Sequence, residues 1–349
     1  MGSCSSMLGQ NGRRTAEILA ETLHRAISGG NHDLVKKLLA DGAALDTRTD
    51  FGDTPLHLAR DAEMVQLLVA KGADKGALGA GGNTPLIAAI MWNRDAVAEA
   101  LLAARADASF RCWHDFTALH LAATRGNAII LGALVRRGID VNDNVGSLRS
   151  ALHGAAQKNM AEAIDILFEA GADTEVRDRV LTGSAPLHFA AQHISPEAAI
   201  ALLKCGAAIG ARDKYGETPL HRAAHQAGKR GAVEMVELLL RWGADETASN
   251  RNGETPAYVS GGGCSIFGGK KAGDVQRVRQ LLENAPAARE AWGRWRRRGL
   301  LVASRTRPQM VSLSASTPST SPRGEWMDLM SRVLGLAEEG MFRTIVGYL

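Results

Sequence analysis

Apolar positions along this chain fall into short blocks of two kinds. One opens on a Leu and continues with small residues, as at Leu119 with Ala122 and Ala123. The other, a few residues later, places apolar side chains three and four apart, as at Val233, Val236, Leu239 and Leu240. That spacing lines up one stripe of a helix. The pattern predicts pairs of short helices, the first with a thin face that lets neighbours approach closely and the second with a broader apolar stripe. No apolar run approaches the roughly 18–20 residues that a bilayer-spanning helix needs.

The blocks recur. Self-alignment gives Leu23-His24, Thr54-Pro55-Leu56-His57, Thr84-Pro85-Leu86-Ile87, Thr117-Ala118-Leu119-His120, Ser150-Ala151-Leu152-His153, Ala185-Pro186-Leu187-His188 and Thr218-Pro219-Leu220-His221, then a worn Thr255-Pro256-Ala257-Tyr258. The steps between the leucine positions are 33, 30, 33, 33, 35, 33 and 37 residues. A second landmark, of the form Gly-Ala-Asp, follows each block, as at Gly72-Ala73-Asp74 and Gly243-Ala244-Asp245. Thr or Ser before the Leu can cap the first helix, and Pro suits the first turn because its missing N–H has no helical partner there. The extended stretch between the Gly-Ala-Asp turn and the next Thr makes a hairpin-like finger. One such unit cannot bury its own apolar faces, so units must stack on copies of themselves.

Motif, period and second landmark together resemble the ankyrin repeat, over about residues 15–290 in eight units with degenerate ends. The resemblance implies an all-α solenoid of stacked helix pairs with short hairpin fingers. It also implies that the histidines of the Leu-His pairs, His57, His120, His153, His188 and His221, with His24 in the degenerate first unit, join hydrogen bonds around the Thr and the neighbouring repeat. About one repeat separates successive histidines, so they form a spine and not a metal cluster. No metal site and no cofactor are expected.

Departures from the pattern mark irregular units. Asp115 and Leu148 stand where the finger turn otherwise has Gly. Repeat two is three residues short around Leu58 to Met64, and repeat seven gains four around Gln226 to Gly231. Gains are expected in the loops between paired helices, and a dip in stability is expected near repeats two and five.

Functional side chains in such a scaffold are those that stacking does not demand. On the fingers these are Arg48, Phe51, Arg111, Trp113, His114, Arg179, Arg212, Lys214, Tyr215 and Arg251, and on the inner helix surface Phe189 and Arg222. Trp, Tyr and Arg are the side chains most enriched at binding hot spots. The resemblance brings no reaction chemistry, and no catalytic residue is expected. The stretch Gly261 to Lys271 has Cys264 and Lys271 where a phosphate loop needs Gly and Ser or Thr, so it reads as an insertion.

Charge changes the picture only at one end. The chain of 349 residues carries a formal +4, yet outside residues 289–307 it has 34 basic against 36 acidic residues. Most of the chain is therefore no magnet for nucleic acid. The expected order is a flexible N-terminus (1–14), the array (15–290), a basic Trp/Arg-rich capping segment (291–307), a Ser/Thr/Pro-rich linker (308–324) and an amphipathic helical tail (325–349). Met1-Gly2-Ser3-Cys4-Ser5-Ser6 fits an acylation signal, with Gly2 as myristate site and Cys4 as a second lipid site. Four cysteines without paired spacing point to a reducing compartment. The expected protein is a monomeric cytoplasmic adaptor for a protein partner. Peripheral membrane contact through the N-terminus and a nuclear regulator using Arg294 to Arg298 are the alternatives.

Overall fold

The computed structural model describes residues 3–112, 115–143, 149–179, 182–262 and 273–289, with only the backbone of residues 3–14. It divides into two compact units, Met1–Ala208 and Ile209–Leu349. Among the described residues the regular structure is helical throughout.

In the first unit the helix pairs are α1 (Ser3–Ser28) with α2 (His32–Ala40), α3 (Pro55–Leu58) with α4 (Ala62–Ala70), and α5 (Pro85–Met91) with α6 (Asp95–Ala103). Then come α7 (Ala118–Arg125) with α8 (Ala128–Arg136), α9 (Ala151–Gln157) with α10 (Ala161–Glu169), and α11 (Pro186–His193) with α12 (Pro196–Lys204). First helices pack on first helices of neighbouring repeats, and second on second. Their shared core holds Leu56, Leu68, Leu86, Leu101, Leu119 and Leu131, all at or below 1% exposure. The helix α1 opens at Ser3, inside the segment read as flexible. No proline interrupts residues 3–28, so the helix propagates outward from its packed end.

The second unit holds α13 (Pro219–His225), α14 (Ala232–Trp242) and α15 (Pro256–Gly262), followed by a helical stretch, α16, over residues 273–289. The gain in repeat seven falls in the loop Gln226–Gly231 between α13 and α14, as the pattern predicts. In α16 Val278, Leu282 and Ala285 are buried while Arg277, Arg279, Glu283 and Asn284 are exposed. One apolar stripe under a polar outer face is what the open end of a stack requires. The expected capping segment 291–307 lies outside the described residues, as do the linker and the tail.

Fingers close by a backbone pair at their base and a tight turn at the tip. In the first finger Thr49 N–H donates to Asp53 C=O at 2.9 Å, and Gly52 N–H to Thr49 C=O at 2.8 Å. Finger six repeats this with Asp213 and Glu217 at 3.0 Å. Where finger three lacks the turn glycine, Asp115 itself takes the left-handed conformation, φ 58°. Aspartate tolerates that region better than most residues, so the turn survives the substitution. Leu148, in the next finger, lies outside the described residues.

Candidate functional site

The histidine spine shows how polar chemistry is spent in this fold. In repeat two the Thr54 backbone N–H donates to His57 Nδ1 at 3.2 Å, so that nitrogen is an acceptor. The proton must then sit on Nε2, which donates to the Asn83 carbonyl of the next finger at 3.0 Å. The same arrangement joins His153 to Ser150 and the Ser184 carbonyl, and His221 to Thr218 and the Glu254 carbonyl. His120 takes Thr117 N–H at its Nδ1 and reaches the Arg149 backbone. His188 accepts the Ala185 N–H at 3.2 Å. His24 bonds Thr47 Oγ1 at 3.0 Å, which keeps it in the same role. Burial lowers the pKa of His57, His120 and His221, and brings His153 down to about 4. The rings of His57, His120, His153 and His221 are thus neutral struts from one repeat to the next.

Finger arginines divide by position. Arg48, Arg111 and Arg212 each stand eight residues before the motif Leu. Arg48 Nη1 donates to the Gly52 carbonyl of its own finger at 2.9 Å and to the Leu78 carbonyl of the next. Arg212 Nη1 does the same with Gly216 at 3.2 Å and Ser249 at 2.7 Å. Arg111 instead forks onto both carboxylate oxygens of Asp143, at 2.8 and 2.7 Å. These three side chains tie neighbouring fingers together. The sequence holds the signal, a shared offset from the motif, but the partners across the gap, two backbone carbonyls and the Asp143 carboxylate, lie about a repeat away.

Tip residues behave differently. Phe51 is 82% exposed and Tyr215 57% exposed. Lys214, Arg179 and Arg251 are exposed as well, and the Arg251 N–H donates to the Tyr215 carbonyl at 2.9 Å, holding the two fingers of the second unit side by side. Trp113, His114 and Gly2 lie outside the described residues, and of Cys4 only the backbone, in α1, is described.

Two residues read as inner-surface contacts are taken up internally. Phe189 is 4% exposed, edge-on to His153 at 5.0 Å between centroids, with the Arg149 guanidinium 4.5 Å above its ring. The neighbouring α9 carries Gly154 at the equivalent position, where a Cβ would lie 2.4 Å from Thr124 Oγ1. Arg222 pairs with Asp213 and, at 3.0 Å, with Glu217, whose other oxygen is 2.8 Å from His225 Nε2. Burial alone would raise the Glu217 carboxyl, but the His225 hydrogen bond and the Arg222 charge outweigh it and hold its pKa below the ordinary value. Position alone could not reveal either contact.

Sequence reasoning missed Trp92 and Arg94, in the loop after α5. Trp92 is 46% exposed and the Arg94 guanidinium lies 4.7 Å from its ring. The signal was present, since an aromatic beside a cation sat directly opposite the deletion in repeat two.

A scaffold whose buried polar groups serve stacking, and whose aromatic surplus lies at exposed tips, belongs to the class of repeat-built protein-interaction modules. The family model described as ankyrin repeats (3 copies) matches residues 23–112, 60–145, 108–178 and 152–250, and the chain belongs to that family. It is 30% identical over 250 residues to the B-cell lymphoma 3 protein homolog of Mus musculus, covering 68% of this chain and 47% of that protein. To the B-cell lymphoma 3 protein of Homo sapiens it is 31% identical over 64% of this chain and 50% of that protein. To the nuclear factor NF-kappa-B p105 subunit of Gallus gallus it is 32% identical, over 44% of this chain and 17% of that protein. The chain thus spans about half the length of the B-cell lymphoma 3 relatives. Among the described residues no helix is long and apolar enough to cross a membrane.

Proposed function

We propose that the chain is a non-enzymatic adaptor that holds a protein partner through the tips of its fingers. The observation that carries this reading is Tyr215, more than half exposed on a finger whose backbone Arg212 and Arg251 already pin in place. A rigid aromatic at a tip offers contact area at little entropic cost, and Lys214 and Arg251 surround it with positive charge. In the first unit Phe51 makes a second such tip. The motif histidines support the non-enzymatic reading, because both ring nitrogens of His57, His153 and His221 are committed to structural bonds. Arg48, Arg111, Arg212, Phe189 and Arg222 act in this reading as supports and not as contacts.

Affinity capture from the native cell with quantitative mass spectrometry tests the proposal. The comparison is between the natural chain, Phe51→Ala, and a Lys214→Ala/Tyr215→Ala pair. A specific protein lost with the tip variants supports it; an unchanged partner list with intact helicity overturns it. A second reading, a nuclear regulator acting through Arg294 to Arg298, draws on that basic run and on a relative whose name is a nuclear factor. Truncation before Ala291 should then abolish nuclear accumulation while leaving the tips competent. An acylated, membrane-held adaptor would be released to the cytosol by Gly2→Ala.

A further inference from the structure

The three residues absent from repeat two are missing from a helix. Its first helix, α3, ends at Leu58, whereas α7 at the same place in repeat four runs on to Arg125. At 1.5 Å per residue about 4.5 Å of helix is gone. The missing turn leaves a notch on the side away from the fingers, where Asp61 caps α4 by accepting the Met64 N–H at 2.8 Å.

Arg94 reaches into this notch. Its Nη1 donates to the His57 carbonyl at 3.2 Å and the Ala59 carbonyl at 3.0 Å, closing the end of α3 that lost its last turn. Trp92 lies against the same guanidinium and stays half exposed, forming a ledge at the rim. Arg125 Nη2 donates to the Met91 carbonyl at 3.0 Å, which brings a second guanidinium to that rim. Arg60, exposed, follows directly on Ala59 at the end of α3. Arg94 holds the carbonyl of Ala59, the residue just before Arg60, which brings the two cations into the same neighbourhood; burial first, and the Arg60 charge next, hold the Arg94 pKa below its ordinary value.

None of these three arginines makes an ion pair among the described residues, whereas Arg111 and Arg222 are matched to carboxylates. The nearby acids are engaged elsewhere: Asp53, whose charge reaches Arg94, accepts the Ala80 N–H at 2.8 Å, Asp61 pairs with His32 at 3.0 Å and Asp95 accepts from the Asn127 amide at 2.5 Å. Glu63, in the first turn of α4, is the remaining exposed carboxylate and lies toward His32. Positive charge is therefore left over beside an exposed aromatic ring.

We propose that the notch at the shortened second repeat is a second docking site, taking an acidic peptide segment of a partner protein that lays one apolar side chain on Trp92 and its carboxylates against Arg60, Arg94 and Arg125. A peptide fits better than a nucleic acid, because the cations cluster around one ledge and do not track a backbone. The site is separate from the finger tips, so it stands or falls independently of the adaptor reading.

Random-peptide phage display on the full chain, followed by fluorescence polarisation with a labelled synthetic peptide of the selected consensus, tests it. The consensus should be rich in Asp and Glu around one aromatic or aliphatic residue. Trp92→Ala and Arg60→Glu should each weaken that peptide about tenfold or more, Trp92→Phe should largely retain it, and affinity should fall as salt rises. Phe51→Ala and Tyr215→Ala should leave it unchanged, which separates this site from the tips. Trp92→Phe keeps an aromatic ring against Arg94, and circular dichroism verifies the fold of each variant. A selection without an acidic consensus overturns the proposal. So does binding that survives Trp92→Ala and Arg60→Glu, is lost only in the tip variants, or is displaced by a DNA oligonucleotide.

Discussion

Repeats two and seven depart from the common unit in opposite directions, and the fold treats them differently. Repeat seven gains residues, and the gain passes into the loop Gln226–Gly231 while α13 keeps seven residues and α14 has eleven. Repeat two loses residues, and the loss comes out of α3, which keeps only four. An insertion can leave the stack through a loop at small entropic cost. A deletion cannot, because the N-cap of the second helix and the start of the first are both held by neighbours. The shortened helix end is instead completed by a neighbour, through Arg94.

The largest expected effect is one the two repeats share, and it tests whether the histidine struts behave alike in both. A buried imidazole with a depressed folded pKa leaves the unfolded chain binding more protons below about pH 6.5. Stability is therefore full above that pH and declines as pH falls toward the folded values. For His153, moving from 6.5 to about 4, the loss amounts to roughly 3 kcal/mol at about 1.4 kcal/mol per pH unit. His57 and His221 shift in the same direction. Urea unfolding across pH 4–7 should show a steep fall, and His153→Gln should flatten it; a flat profile in the natural chain would sink the strut account.

Next come two substitutions that weaken repeat two alone. Arg94→Ala leaves the carbonyls closing α3 without their charged donor, an expected cost of about 1–3 kcal/mol. Gly79→Ala should cost a similar amount, since a Cβ there would lie 2.5 Å from Asp53 Oδ1 and 2.6 Å from His57 Nε2. By contrast, Gly210 has open space around its Cβ position, and Gly210→Ala should be neutral or stabilise by up to about 1 kcal/mol. Equal effects of the two glycine substitutions in thermal melts would contradict the packing described for finger two.

A smaller effect belongs to local opening. Hydrogen exchange should be fastest, among first helices, in α3, because four residues leave its amides few internal partners. Uniform protection across the array would remove the contrast between the two repeats. Smallest of all, removing the exposed Lys229 and Arg230 from the loop Gln226–Gly231 should change stability by less than about 1 kcal/mol. A larger loss would mean the loop takes part in packing.

Much of this was legible beforehand. The period, the Thr-Pro-Leu-His starts and the Gly-Ala-Asp stops located nearly every helix, because capping and left-handed turns are local chemistry. The departures were legible as positions but not as outcomes: Asp115 simply adopts the left-handed turn, and the deletion in repeat two recruits a residue from repeat three. Among candidate contacts, exposure was legible where a side chain sits at a tip, as for Phe51 and Tyr215. What was not legible is the engagement of Arg48, Arg212 and Phe189, which reach partners about one repeat away in sequence.

By itself the sequence determined that repeated units too small to bury their own faces must stack, with histidines spaced as a spine. Those properties follow from short-range pattern and from the need to cover apolar surface. Only the tertiary structure decided which cations are matched and which are left over. A guanidinium is satisfied by whatever carboxylate or carbonyl the neighbouring repeat brings within about 3 Å, and that depends on helix length and finger register. Arg111 and Arg222 meet carboxylates; Arg60 and Arg125, beside the missing turn, do not.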